Sequence, residues 1–248
     1  MNDLPENARR ALERAHAEPL SYAVRLVRAP DGRLLAILGE AHLKLAKASA
    51  IGKDVVSAFE LRGVETFQRE QITWGRALGV VVHAPRALLR ALSLGAIKDS
   101  TIVDARQLPS GYTVELERAK KMPFGLHVAS VYMTTYFVVS FLALLAPVLT
   151  PIAPAIVAVI LLVAFGFQLH LLALVPGYFL RRYAWSWIVH PFLGILTLRD
   201  ELMATGTLRM LEDHPSMHEA VVVMGRAHVP GYLRLLVERH GYTSVPFP

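Results

Sequence analysis

The sequence predicts an α/β fold, a central sheet with flanking helices, interrupted by a two-helix transmembrane hairpin. Three observations predict it. Residues 122–180 contain no Asp, Glu, Lys or Arg, whereas the chain on both sides is charged. Short runs rich in β-branched residues alternate with stretches of helical pattern. A buried strand running into Gly-x-x-His and then a helix is read twice, at Gly39–His42 and Gly225–His228. The expected organisation is one discontinuous domain, 1–121 with 181–248, and a hairpin at 122–180.

Each element follows from its own residues. Asn2 to about Ala17 reads as a charged helix. Tyr22–Arg28 and Arg33–Leu38 read as strands joined by the turn Ala29-Pro30-Asp31-Gly32. Gly39-Glu40-Ala41-His42 comes next, then a helical stretch from Leu43 to about Gly52. Asp54–Leu61 is expected to be a buried strand that ends in Phe59-Glu60-Leu61. Gly63–Ala96 is expected to be mostly helical, with a turn at His83-Ala84-Pro85. Around Arg86 and Arg90 it carries a cationic amphipathic face suited equally to a membrane surface or to water.

Leu126–Val148 and Ile152–Phe179 are apolar runs long enough to cross roughly 30 Å of hydrocarbon as helices. Pro147, Pro151 and Pro154 mark the turn between them, because proline cannot continue the helical hydrogen-bond ladder. Arg118, Lys120 and Lys121 precede the hairpin, and Arg181 and Arg182 follow it. Positive flanks on both ends predict that both ends are cytoplasmic, giving a multi-pass protein of the cell (inner) membrane with a cytoplasmic soluble domain. Tyr178, Tyr183, Trp185 and Trp187 are expected in the interfacial belt. Ala143, Ala146, Ala155 and Ala158 offer a small-residue surface for a homodimer. His127 and His170 read as structural; His190, His214, His218 and His240 read as solvent-facing.

Beyond the hairpin, Leu196–Leu211 has helical spacing and contains Arg199-Asp200-Glu201. Glu219–Met224 reads as a valine-rich strand. Pro230–His240 reads as a helix with Pro in its first turn and Gly241 past its end.

Composition narrows the function classes. The chain of 248 residues is 54 % hydrophobic and only 19 % charged, which favours lipid contact. Its net charge of +6 comes without aromatic interleaving or any nucleic-acid motif, so a lipid bilayer is the expected partner and nucleic acid is not. With no cysteine, thiol nucleophiles, disulfides and zinc–thiolate sites are excluded. Met1–Glu18 is charged and has no apolar core, so no secretory signal is expected there.

The repeated motif carries the functional signal. With 16 Gly and 10 His in the chain, roughly 0.65 Gly-x-x-His matches are expected by chance, and a single copy would mean nothing. Two copies at strand-to-helix turns place His42 and His228 beyond the carboxyl ends of strands, where ligands bind in open α/β sheets. A shared crevice and two unrelated turn histidines both remain open on spacing alone.

At these residues the sequence resembles the TraB/Tiki family, part of a wider group with erythromycin-esterase-like and ChaN-like proteins. The matching elements are Gly39–His42, Glu60-Leu61, Arg199-Asp200 with Met203, and Gly225–His228 continuing Val229-Pro230-Gly231. They occur in the family's order and span most of the soluble chain. The resemblance implies a TraB/EreA/ChaN-like fold and a metal-dependent peptidase or related hydrolase acting on a peptide or small-molecule substrate. His42 and His228 would be ligands to a divalent ion (Mn, Co or Zn), and Glu60 would be ligand or general base. Arg199 would stabilise developing negative charge, Asp200 would orient a histidine or the arginine, and Glu40 is a second candidate base. Arg226 beside His228 would oppose a cation unless Glu40 or Asp200 neutralised it. Two other readings stand beside this one. One is a non-catalytic peptide- or ligand-binding regulator of the pheromone-shutdown type. The other is a metal-free, esterase-like hydrolase with a histidine base.

Overall fold

The computed structural model describes residues 4–41, 43–65, 71–94, 96–99, 111–113, 122–181 and 183–246. In chain order its elements are α1 (Glu6–His16), β1 (Tyr22–Arg28), β2 (Leu34–Glu40), β3 (Leu43–Leu45), α2 (Ala46–Ser57), β4 (Leu61–Val64), α3 (Gly75–Leu92), β5 (Ile97–Asp99) and β6 (Gly111–Thr113). Then come α4 (Phe124–Leu144), the short α5 (Ala146–Leu149), α6 (Pro154–Leu171), α7 (Leu174–Leu180), a 3-10 turn (Ala184–Ile188) and α8 (Phe192–Asp213). The chain ends with β7 (Glu219–Gly225), a second 3-10 turn (Arg226–His228), α9 (Val229–His240) and β8 (Thr243–Val245).

The fold is mixed α/β. Two compact units divide the chain: Met1–Phe67 with Arg86–Ala119 and Asp200–Pro248, and Gln68–Pro85 with Lys120–Arg199. The first unit holds a six-stranded sheet in the order β6-β4-β7-β2-β1-β8. β6, β4, β7 and β2 run parallel, while β1 and β8 close one edge antiparallel. β3 and β5 form a separate antiparallel pair.

The hairpin β1–β2 turns at Gly32, whose φ of +92° lies in the left-handed region that favours glycine. β2 and β7 are buried along almost their whole length, as expected of strands covered on both faces. One face packs Ala36, Leu38, Val221 and Val223 against Ala8, Leu12 and Ala15 of α1 and Val55 and Val56 of α2. The other packs Leu35, Ile37, Val222 and Met224 against Met203, Met210, Tyr232 and Leu236. Ala8, Ala11, Leu12 and Ala15 recur at helical spacing, so α1 buries one stripe while Arg9 pairs with Glu6 and Glu13 outside it.

Several sequence expectations are corrected. Asp54–Leu61 is not a strand: α2 runs to Ser57, and the strand is the four-residue β4 starting at Leu61. Val55, Val56 and Phe59 are buried, and a short apolar run of this kind fits a helix end as well as a strand. Leu43–Leu45 is strand rather than helix, and Gly63 lies in β4. His83-Ala84-Pro85 lies inside α3 and makes no turn.

In the second unit, α4 (Phe124–Leu144) and the segment Pro154–Leu180 are long and apolar enough to cross a membrane. The proline cluster falls between them, with Pro154 opening α6 where its missing N–H is unneeded. His127 Nδ1 accepts from the Thr73 N–H at 3.1 Å. His170 Nδ1 lies 2.7 Å from the Tyr132 hydroxyl. His190, expected at the surface, is fully buried: its ring stacks on His170 at 4.6 Å.

Candidate functional site

The carboxyl ends of β2, β7 and β4 lie side by side, with Glu40 in register with Gly225 and Val64 with Val223. Beyond Gly225 the chain makes the tight turn Arg226–His228 and enters α9, with Pro230 in its first turn and Gly241 in the left-handed conformation at its end. Gly39 makes room for that turn. A Cβ there would overlap the Val229 side chain and lie 3.2 Å from Arg226 Cα. The glycine of the first motif thus serves the close packing of the second.

His228 stands at the start of α9 between two carboxylates. Its Nδ1 is 2.6 Å from Asp200 Oδ1, and its Nε2 is 3.9 Å from Glu65 Oε1. His228, Asp200 and Glu65 are 4 %, 5 % and 6 % exposed, which removes the water that would otherwise screen their charges. Asp200 arrives from α8, Glu65 from the end of β4 and His228 from the end of β7, so three separate elements build the group.

Glu65 is positioned by backbone pairing. Its N–H donates to Val223 O at 2.9 Å, extending the β4–β7 ladder by one residue. Its Oε2 then accepts from the Gly225 N–H at 2.5 Å, a charge-assisted bond that ties the carboxylate to the strand end. Asp200 is positioned by Gly231, where a Cβ would fall on Asp200 Oδ2. The missing side chain lets the carboxylate lie against the first turn of α9, the positive end of a helix.

The tautomer follows from this geometry. An ionised Asp200 only accepts, so Nδ1 carries a proton and Nε2 is directed toward Glu65 Oε1. At 3.9 Å these two atoms are too far apart for a direct hydrogen bond. Nε2 and Oε1 therefore face each other across a short gap at the carboxyl ends of β4 and β7.

The residues named from sequence fall out as follows. His228 and Asp200 come together. His42 lies outside the described residues. Glu60 is exposed and precedes β4, at the end of the strand opposite Glu65. Its expected place at a strand's carboxyl end is therefore corrected, and the structure does not bring it to His228. Glu40 is fully buried at the end of β2. By strand alternation it shares the face of Ala36 and Leu38, the one covered by α1 and α2, rather than the face of α9. Arg199 is buried one residue before Asp200 on α8. Arg226 turns outward and donates to Pro19 O at 2.6 Å and Leu20 O at 3.2 Å, so its chain-neighbour relation to His228 does not set its charge on the imidazole.

Glu65 is the residue that sequence reasoning missed. Its signal was present in Leu61-Arg62-Gly63-Val64, a short run with a β-branched end, directly before the acid. Extending the helical reading back to Gly63 concealed it.

Among the described residues no group of three or more His, Asp or Glu side chains is arranged to hold a metal ion. His228 Nε2 and Glu65 Oε1 supply two donors, with Asp200 behind the imidazole in the position of an outer-shell partner. Two donors do not complete a metal site by themselves. No family model, curated protein or solved structure matches the chain.

Proposed function

We propose that the chain is a membrane-anchored hydrolase of the TraB/Tiki type, metal-dependent and acting on peptide bonds, with His228 at its centre. The observation that carries this reading is the buried imidazole held by Asp200 on one nitrogen and faced by Glu65 on the other. Asp200 fixes the tautomer and the ring plane. Glu65 holds its second carboxylate oxygen on the Gly225 N–H and turns Oε1 toward Nε2. His42, the first motif's histidine, is the third donor in this proposal. A divalent ion (Mn, Co or Zn) bound there would polarise a carbonyl and make a water molecule more acidic.

The test is peptide hydrolysis by the detergent-purified full chain with Mn²⁺, Co²⁺ or Zn²⁺ supplied, wild type beside His228→Ala. Cleavage that a chelator abolishes and His228→Ala lacks supports the reading. A wild type that takes up no metal, with every activity unchanged in His228→Ala, refutes it. A second reading, a metal-free hydrolase, draws on the same 2.6 Å Asp200–His228 pair, which by itself orients an imidazole as a general base. Hydrolysis that survives chelation but not His228→Ala selects it.

The anchor is the helical hairpin, with α4 and the segment Pro154–Leu180 crossing the bilayer. Positive residues at both outer ends put those ends on the cytoplasmic side and the proline-rich tip outside. In this cysteine-free chain, Thr150→Cys should react with an impermeant maleimide added to intact cells. Reaction only after lysis reverses the orientation.

A further inference from the structure

Between Arg182 and Arg199 the chain again lacks Asp, Glu, Lys and Arg, although this stretch lies beyond the second apolar helix. In the second unit it tracks down one side of α4 and back. Trp187 meets Phe124 edge-on, with ring centroids 6.1 Å apart, at the first turn of α4. Three residues on, His190 meets Tyr132 at 5.4 Å and stacks on His170 of α6. Phe192 then packs edge-on against Tyr132 at 5.5 Å and Tyr136 at 5.6 Å. The returning limb is α8. A Cβ at Gly194 would lie 3.3 Å from Gly125 O and 3.4 Å from Ala129 Cβ, and one at Gly125 would lie 2.7 Å from Leu198 Cδ1. At a 1.5 Å rise per residue, Tyr132 and Tyr136 lie about 12 and 18 Å along α4 from Phe124. Those depths bracket the middle of a hydrocarbon layer roughly 30 Å thick.

Polarity along this segment is inverted relative to a water-facing loop. Ile188 is 68 % exposed and Trp185 48 %, whereas Ser186, His190 and Thr197 are buried. The Ser186 and Thr197 hydroxyls lie 3.5 Å apart, and Thr197 donates to Leu193 O. The bend also satisfies its own backbone. The N–H groups of Val189 and His190 donate to Ser186 O, that of Leu193 to His190 O and that of Gly194 to Pro191 O. The Phe192 N–H donates to His190 Nδ1 at 3.2 Å, and Pro191 has no N–H to place. In hydrocarbon, where water cannot take up loose donors, irregular backbone is tolerated only when it is satisfied in this way.

We propose that Tyr183–Leu198 is a re-entrant membrane element, entering from the side of both hairpin ends, bending at His190-Pro191 near mid-bilayer, and presenting Trp185 and Ile188 to acyl chains. This rests on the bilayer-crossing reading of α4 and Pro154–Leu180 given above. The element sets His190 inside the apolar layer with a ring nitrogen, Nε2, that has no partner among the described residues.

The test uses single cysteines in the full chain, which has none of its own. Ile188→Cys, Trp185→Cys, Leu162→Cys on α6 and Leu20→Cys in the first unit all replace exposed side chains and should leave the fold intact. Each variant is spin-labelled and reconstituted into phosphatidylcholine/phosphatidylglycerol vesicles, and collision with oxygen is compared with collision with a water-soluble nickel chelate. Labels at 188 and 162 should favour oxygen severalfold over the label at 20, with 185 between them. A nickel-accessible label at 188 beside an oxygen-favouring label at 162 overturns the re-entrant element and leaves the hairpin standing. Nickel access at 162 as well would remove the bilayer reading itself.

Discussion

His228 Nδ1 and Asp200 Oδ1 are 2.6 Å apart and almost wholly buried, although Asp200 comes from α8 and His228 from the turn after β7. That pairing decides which nitrogen of the imidazole is left to act. It directs Nε2 to Glu65, so the group stores two acids and one base in a space that excludes water. Removing one member disturbs the buried contacts of the other two, so the effects of substituting the three should be non-additive.

Asp200→Asn keeps the shape but replaces the oxygen that can only accept. The imidazole tautomer is no longer set, and a fall of roughly 10- to 100-fold in metal affinity or hydrolytic rate is expected. Isothermal titration with Mn²⁺ and the peptide assay both read it. Unchanged values would make the 2.6 Å bond a structural one.

Gly231→Ala should reproduce the Asp200 defect from another element, because its Cβ would fall on Asp200 Oδ2. Overpacking of this kind costs about 1–3 kcal/mol, so Tm should drop along with activity. Gly166→Ala in α6 meets nothing within 4 Å. It should be neutral or slightly stabilising, since alanine favours a helix interior by roughly 0.5–1 kcal/mol.

Glu65→Gln removes a carboxylate that faces His228 and accepts from the Gly225 N–H. Activity and metal binding should both fall well over tenfold. Glu60→Gln, at the opposite end of β4 and exposed, should leave both within twofold. Equal losses would return Glu60 to the site.

Alkaline pH should loosen the layer of helices that supports the site. Burial pushes the Tyr242 phenol up to about 12, and burial also raises Tyr232, whose hydroxyl lies 2.7 Å from Thr207 Oγ1. In the unfolded chain a tyrosine titrates near 10. The folded state therefore holds these protons while the unfolded state loses them, so this contribution to stability is whole below pH 10 and falls away as pH approaches 12. Thermal melts at pH 8, 10 and 11.5, with phenolate absorbance followed alongside, should show it. Tyr242→Phe should flatten the decline.

Much of the second half-site was legible in the sequence. The valine run of β7, the Gly225–His228 turn, Pro230 inside α9 and Gly241 beyond it are local signals, and each forms as expected. The apolar helices were legible for the same reason, since length and lack of charge need no tertiary information. Asp200 was named from the resemblance as orienting a histidine or the arginine, but its pairing with His228 was not legible, because the space above Gly231 exists only once α8 and α9 meet. Glu65 was lost because β4 is four residues long and its identity as a strand depends on pairing with β7. The burial of His190 was lost because its polarity reads as surface when an apolar environment is not assumed.

The most direct test of the His228 centre is cobalt titration of the detergent-purified full chain, following the visible absorption that Co²⁺ gains on entering a protein site. Wild type and Glu60→Gln should each develop the bands and saturate at about one ion per chain, while His228→Ala and Glu65→Gln should develop none. Bands that persist in His228→Ala and Glu65→Gln, or an absence of bands in wild type, would contradict a metal centre built on these residues.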